Sequence, residues 1–480
     1  MLDGTASEAK ARCQMVIEPI RRNLERQGLS PVFCPSVCQC ARRAAVSPAM
    51  CRLRLLPILL AVLILALRGR AAAEALDPVL QLDGVWTMQQ DDFQTATRGL
   101  PFRWNSTARD SARASGKALT LLGLPLSELV ARFANDKVTQ MTAVIYARGD
   151  AGEIQREAFE ALLRQSIGAL DTFTKVKFTA RGKDATSAVK ADGVYWKTPR
   201  AHYLLEYSFT KEMKSRDVPF RAEFIRLEIS PPQNTTSLLS TATNAPKMKF
   251  SGGLRLQRDE KKGDVWIAGV PMVDQGEKGY CVVASAERVM RFYGSEVDQN
   301  ELAQIANTGD RGTSPRAMSE ALKKLSQRLR IRVRDLEGPD VRELLKMQTE
   351  YNRAAKKANA PAIPDMGNVI DVGLMYQTMK AEVLKEVRTR NRADVNKFLR
   401  EVQVEIDKGV PLMWSVQLGL FPEPGVPQSG GGHMRLIIGY NAKTQEILFS
   451  DSWGAGHELK RMPLDIAWTI TTGLLTIEPL

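Results

Sequence analysis

The chain has 480 residues, room for two or three domains, and its 44% hydrophobic and 25% charged content is that of an ordinary globular protein, which excludes wholesale disorder. Its formal net charge of +13 overstates the case for an acidic partner. The first 73 residues hold 11 basic against 4 acidic side chains, and the remainder 56 against 50 with no dense Lys/Arg run among aromatics, so nucleic acid is not expected as a partner.

In chain order, a targeting segment comes first. Arg52 and Arg54 precede an apolar run of 13 residues, Leu55 to Leu67, and Ala71-Ala72-Ala73 supplies a small-residue cleavage pattern before Glu74. Thirteen residues are too few to span a bilayer comfortably, and the layout is that of a secretory signal peptide over residues 50–75. Met50 stands directly before it, so residues 1–49 read as a non-native N-terminal extension. Cleavage leaves an exported protein, periplasmic or extracellular, with no stable membrane span; retention leaves it membrane-anchored. Cys13, Cys34, Cys38, Cys40 and Cys51 all fall upstream of the cleavage pattern, with no His or fourth well-spaced Cys to complete a metal knuckle. The mature chain then keeps one cysteine, Cys281, which cannot form an internal disulfide and is either buried or used.

Residues 76–230 read as an α+β accessory domain that folds independently. Ser127 to Phe133 has a short helical pattern with Leu129 and Phe133 four apart, and Met141 to Tyr146 is a strand pattern closed by Arg148-Gly149-Asp150. Glu153 to Leu170 is an amphipathic helix, followed by strand-like runs at 175–179, 194–196, 203–209 and 224–229. His202 sits beside one of these strands and reads as structural. Residues 231–262 form a linker, opened by Pro231-Pro232 and rich in Ser, Thr and Asn.

Residues 263–480 form one unit because the chemistry-bearing residues come from both of its ends. Cys281 opens a helix through Tyr293; Asp298 with Glu301 makes a capping-box pattern for a second helix, and Ser314-Pro315 starts a third. A helical insertion is expected at about 339–408, then strands at 412–418, 433–440 and 446–450, the last two joined by the turn Asn441 to Thr444. The expected fold class is therefore α+β, with helices first and an antiparallel sheet second.

Four residues carry the candidate chemistry. Cys281 at a helix N-terminus would have its thiolate favoured by the helix's partial positive charge; the plain alternative is a small buried apolar side chain. Gln275, six residues earlier, is either an amide donor toward a developing oxyanion or a turn residue before Gly276. His433, one of three histidines, opens an apolar strand after Gly430 to Gly432 and would be a general base, or else a strand-edge histidine. Asp451, in Asp451-Ser452-Trp453-Gly454, would fix the histidine tautomer.

Taken in order, Gln275…Cys281, His433 before Gly439-Tyr440, and Asp451 to Gly454 resemble a papain-like cysteine peptidase. The compact order over 269–470 is most similar to the bacterial double-glycine, bacteriocin leader-processing branch. The resemblance implies a peptide or protein substrate, a Cys281–His433–Asp451 triad with Gln275 and the Cys281 backbone N–H as oxyanion donors, and no cofactor or metal. Papain has Asn where this chain has Asp451, while relatives in the leader-processing branch have Asp. The chain lacks a P-loop and a transporter membrane domain, and the Cys-Gly-Ser-Cys-Trp pattern of papain is missing around Cys281. Hydrolysis of peptide bonds is the expected activity; a thiol-dependent transamidase or acyltransferase, or an inactive papain-like binding module, are the other readings.

Overall fold

The structure, a computed structural model, describes residues 74–480 except 182–187, 190, 213–218, 234–251, 277–278, 310–311, 339, 368–369 and 427–429. The N-terminal extension, the signal segment up to residue 73 and the Ser/Thr/Asn-rich part of the linker lie outside the described residues. Among the described residues, no helix is long and apolar enough to cross a membrane. Helices and two large sheets make the fold α+β.

The first sheet is built from β1 (Glu74–Ala75), β2 (Phe102–Trp104), β3 (Ser111–Leu121), β4 (Leu124–Ala134), β5 (Lys137–Ala147), β6 (Thr179–Arg181), β7 (Asp192–Lys197), β8 (His202–Thr210) and β9 (Arg221–Ser230). Their order is β1-β3-β4-β5-β9-β8-β7-β6, with β2 on β3, and only the β1–β3 pairing is parallel. Helix α1 (Arg156–Thr174) buries Phe159, Ser166 and Leu170 and is tied to β7 by the Trp196 indole, which donates to Asp171 at 2.7 Å.

Two expectations need correction here. Ser127 to Phe133 is not helical; it lies inside β4, paired on both edges by β3 and β5. A spacing of four brings Leu129 and Phe133 to one face of a strand as surely as of a helix, so the pair could not separate the two periods. The strand expected at 175–179 begins only at Thr179, because α1 runs on to Thr174.

The second sheet comprises β10 (Leu256–Asp259), β11 (Asp264–Ile267), β12 (Ile331–Glu337), β13 (Leu412–Leu418), β14 (Gly431–Asn441), β15 (Glu446–Ser450), β16 (Lys460–Pro463) and β17 (Thr471–Pro479). Its order is β10-β11-β14-β13-β17-β12, with β15 on the free edge of β14 and β16 on β15. Strands therefore also precede and interrupt the helices, and β10 occupies part of the expected linker. Helix α2 (Cys281–Phe292) packs against β14 and is buried on nearly all sides from Val282 to Met290. It is followed by α3 (Gln299–Ile305), whose N-cap Asp298 accepts from the Asn300 and Glu301 backbone N–H groups, and by α4 (Pro315–Lys324).

Helices α5 (Val341–Lys357), α6 (Val372–Thr378), α7 (Ala381–Thr389) and α8 (Arg392–Asp407) fill the span between β12 and β13. The first three enclose a small core of their own around Met347, Tyr351, Met375 and Leu384. Helix α8 instead joins the main core through Phe398 and Val402, beside the fully buried Trp414 of β13.

The first sheet meets helix α3 across a buried charge network. Arg226 of β9 bonds Glu206 of its own sheet, Glu301 of α3 at 2.8 Å, and Asp298. Removing one member of such a set leaves uncompensated charge in the interior, which typically costs about 3–5 kcal/mol.

A bulge in β14 sets the register that matters below. Asn441, Tyr440 and Gly439 pair with Glu446, Ile447 and Leu448; after the shift, Ile437 and Leu436 pair with Phe449 and Ser450. The extra residue, Ile438, moves every later residue of β15 to the opposite face relative to β14. Gly439 at this bulge has no room for a side chain, since a Cβ would stand 2.4 Å from the Val265 carbonyl oxygen and 2.8 Å from the Trp266 Cβ. Gly439→Ala is expected to lower stability by about 1–3 kcal/mol, read as a reduced urea midpoint at unchanged slope. An unaltered midpoint would show that β11 and β14 can separate without penalty.

Candidate active site

The site is assembled from four places in the second unit. Cys281 is the first residue of α2, preceded by Tyr280 at the N-cap with no side-chain cap, so the first backbone N–H groups of the helix lack intrahelical partners. Its side chain is partly exposed. His433 projects from β14 and is buried. Asp451 lies one residue past the last pair of the β14–β15 ladder, Leu436 with Ser450, and so at the level of Arg435. Arg435 and His433 are two apart and share a face. The bulge at Ile438 is what turns Asp451 to that face; with the unshifted hairpin register it would stand opposite Leu436.

His433 Nε2 and Asp451 Oδ1 are 3.0 Å apart, which leaves Nδ1 as the ring nitrogen for the Cys281 thiol, the group whose pKa the imidazole lowers. Burial works against the Cys281 thiolate, but the bond to His433, its charge and the backbone at Met434 and Val282 outweigh burial and hold the thiol below its ordinary pKa. For His433, burial likewise opposes the charged form, and the bonds to Asp451 and Cys281 prevail, raising its pKa. Asp451 is fully buried; burial is again overcome, here by the His433 bond and the Arg435 charge, so the carboxyl sits below its usual range. Each shift favours a thiolate–imidazolium pair beside a carboxylate.

Trp453 stacks on the His433 ring, with centroids 4.2 Å apart and planes 6° from parallel. Its indole covers one face of the imidazole and restricts ring rotation. His457, in the loop after Trp453, is half-buried against the Trp453 edge at 5.6 Å. His202 is buried in β8 of the other sheet, away from the site residues, in keeping with a structural role.

Gln275 is buried, and Ser452 grips it twice: the Gln275 backbone N–H donates to the Ser452 carbonyl at 2.9 Å, and the Ser452 hydroxyl donates to Gln275 Oε1 at 2.7 Å. The Ser452 hydroxyl thereby fixes which end of the side-chain amide is the oxygen. His433 and Asp451 are thus directly bonded, Cys281 and His433 act on each other's titration, and Gln275 is joined to the strand end beside Asp451.

Several residues that position these groups were not singled out from the sequence. Arg435, fully buried, donates from Nε to Asp451 Oδ1 at 2.9 Å and forks onto Glu423 at 3.2 and 2.9 Å. Arg288 of α2 reaches the Pro271 carbonyl at 2.8 Å, the Asp451 carbonyl at 2.8 Å and the Ser450 hydroxyl at 2.5 Å, pinning the end of β15 to the helix that carries Cys281. The i, i+2 spacing of His433 and Arg435 on a strand pattern is the one signal that could have found Arg435. Among the described residues, no group of three His, Cys, Asp or Glu side chains is placed to hold a metal ion.

Helix-borne cysteine, strand-borne histidine and hairpin-borne aspartate stand in the order read from the sequence. Residues 267–474 match the model of the Peptidase_C39 like family. This peptidase-like segment is somewhat under half of the chain and nearly coincides with the span of the resemblance, 269–470. Two solved structures are also similar, both at 13% identity. One is the peptidase domain of Streptococcus ComA, described as a bi-functional ABC transporter involved in a quorum sensing pathway, with 44% of this chain and 100% of that chain covered and a TM-score of 0.23. The other is xylellain, a cysteine protease from Xylella fastidiosa, with 49% of this chain and 91% of that chain covered and a TM-score of 0.26. Among curated proteins, none matches.

Proposed function

We propose that residues 263–480 are a cysteine peptidase in which Cys281, His433 and Asp451 form the triad and Gln275 donates to the oxyanion. The observation that carries this reading is the linked set of Cys281, His433 and Asp451, with the thiol pKa lowered and the imidazole pKa raised. The Cys281 thiolate attacks the scissile carbonyl carbon, and the carbonyl electron pair moves onto oxygen. Gln275 Nε2 and the Cys281 backbone N–H donate to that oxyanion. On collapse the C–N bond breaks, the His433 imidazolium protonates the departing amine, and a thioester remains. Water, losing a proton to His433, then attacks the thioester; the thiolate leaves and the carboxylic acid is released. Asp451 holds the imidazole in the required tautomer throughout. The basic start, apolar run and Ala71–Ala73 pattern support export of the mature chain.

The test is alkylation by iodoacetamide across pH, with the site located by mass spectrometry. The lowered thiol pKa means that thiolate is already present below the ordinary cysteine range of about 8.5. The raised His433 pKa keeps the imidazolium charged above about 6.5. The rate at Cys281 is therefore expected to rise with a midpoint below that of a free thiol, while acyl transfer needing the imidazolium falls again at higher pH. An alkylation midpoint at or above that of free cysteine would defeat the ion-pair reading. Hydrolysis products that give way to amide on adding a small amine would favour transamidation instead.

A further inference from the structure

The loop that carries Gln275 is held from outside the peptidase-like segment. Asp274 Oδ1 accepts the Gly276 backbone N–H at 2.8 Å, which closes a tight turn around Gln275. Gly276 has φ +71°, a left-handed conformation that suits glycine. The other carboxylate oxygen, Asp274 Oδ2, takes a 2.9 Å bond from Arg113 of β3, 161 residues earlier in the chain. Arg113 is itself fixed by a 2.7 Å bond from Nε to Glu128 of β4, and its guanidinium lies so near the turn that a Cβ on Gly276 would stand 3.1 Å from it.

The far end of the same loop is held by the same sheet's elements. Tyr280, immediately before Cys281, is buried against Gly149 in the helical turn after β5, where a Cβ would stand 2.1 Å from the tyrosine oxygen. A third contact reaches the loop that follows Asp451: the Thr107 backbone N–H donates to Glu458 at 2.6 Å.

We propose that Arg113 is a positioning residue for the oxyanion donor, so that the N-terminal sheet sets the geometry of Gln275 through Asp274. This rests on the reading of Gln275 given above and assigns the sheet a part in acyl transfer. The energetic case follows from burial. The Arg113 and Glu128 side chains are 13% and 6% exposed and Asp274 is 25% exposed, so the pairing is shielded from water. Burial of Arg113 is outweighed by Glu128 and Asp274, which hold it charged. Without the guanidinium, Asp274 Oδ2 loses the bond that ties the Gln275 turn to β3, and the turn that presents Gln275 is held less firmly.

The experiment compares two reactions of the full chain at Cys281. Iodoacetamide needs only a reactive thiolate. p-Nitrophenyl acetate passes through a tetrahedral oxyanion: the sulfur–carbon bond forms, the carbon–oxygen bond breaks, and p-nitrophenolate leaves with the electron pair. Arg113→Ala is expected to slow acetylation about tenfold or more while alkylation stays within about twofold. Arg113→Lys, which keeps the charge but not the fork, should recover part of the loss. In a Gln275→Ala background, Arg113→Ala should cause no further loss, because it acts only through that amide. If circular dichroism shows Arg113→Ala unfolded, Asp274→Asn is read by the same two rates. Unchanged acetylation, equal falls in both rates, or a full additional loss on top of Gln275→Ala overturns the assignment. A wild type that reacts with neither reagent overturns the peptidase reading itself, and the two failures are therefore distinct.

Discussion

Cys281→Ala is expected to abolish thioester formation and peptide hydrolysis, a loss of about 10⁴-fold or more, with the fold intact. The substitution removes one sulfur atom from a partly exposed position at the start of α2, so little packing is lost. His433→Ala should fall nearly as far, because the thiol then loses both its base and the positive charge that favours the thiolate. Combining the two should add almost nothing, since the pair acts as a unit. Asp451→Asn should be milder: Trp453 still stacks on the imidazole, so part of its orientation survives. Burst measurements with an activated ester, with circular dichroism on each variant, decide the matter. Retention of acylation by Cys281→Ala would remove the thiol from the mechanism, and independent, additive losses would reduce the cluster to coincidence.

The second large effect is expected at Gln275. Gln275→Ala should lower the acylation rate by about 10²–10³ while alkylation of Cys281 by iodoacetamide is nearly unchanged. The contrast follows from what each reaction requires, since only acylation develops charge on a carbonyl oxygen. Ser452 makes the prediction sharper. Its hydroxyl occupies Gln275 Oε1, so Ser452→Ala should free the amide to flip and produce a smaller loss of the same selective kind. A parallel drop in both reactions on Gln275→Ala would mean that the residue supports the thiolate or the loop, not the oxyanion.

Much of the second unit was legible because its elements follow short-range rules. The strands at Leu412–Leu418 and Glu446–Ser450 are short, mostly apolar stretches bounded by turn residues, and both stand where the pattern placed them. The Asp298 cap is real, with the side chain accepting two backbone N–H groups. Other elements were hidden for physical reasons. The first half of β3 buries Ala112 and Ala114, side chains too small to mark a hydrophobic face. β12 and β17 pair with each other across 137 to 148 residues of sequence, so neither has a local hairpin signal. β4 was misread because the spacing of Leu129 and Phe133 fits either period.

For the candidate site, the sequence by itself determined the order and the local setting of the key groups. Cys281 stands at a helix start, His433 near the beginning of an apolar strand, and Asp451 just beyond a hairpin, each fixed by its immediate neighbours. Only the tertiary structure decided how they meet. The single extra residue at Ile438 turns Asp451 to the His433 face, and a bulge depends on the fit of β11 and β15 to β14, which no pattern within one strand encodes. The hold of Arg435, itself forked onto Glu423, on Asp451, the Arg288 pin and the reach of Arg113 to Asp274 are likewise long-range. A charged side chain reads as solvated surface until the fold removes its water, and only then does its need for a partner reveal what it holds.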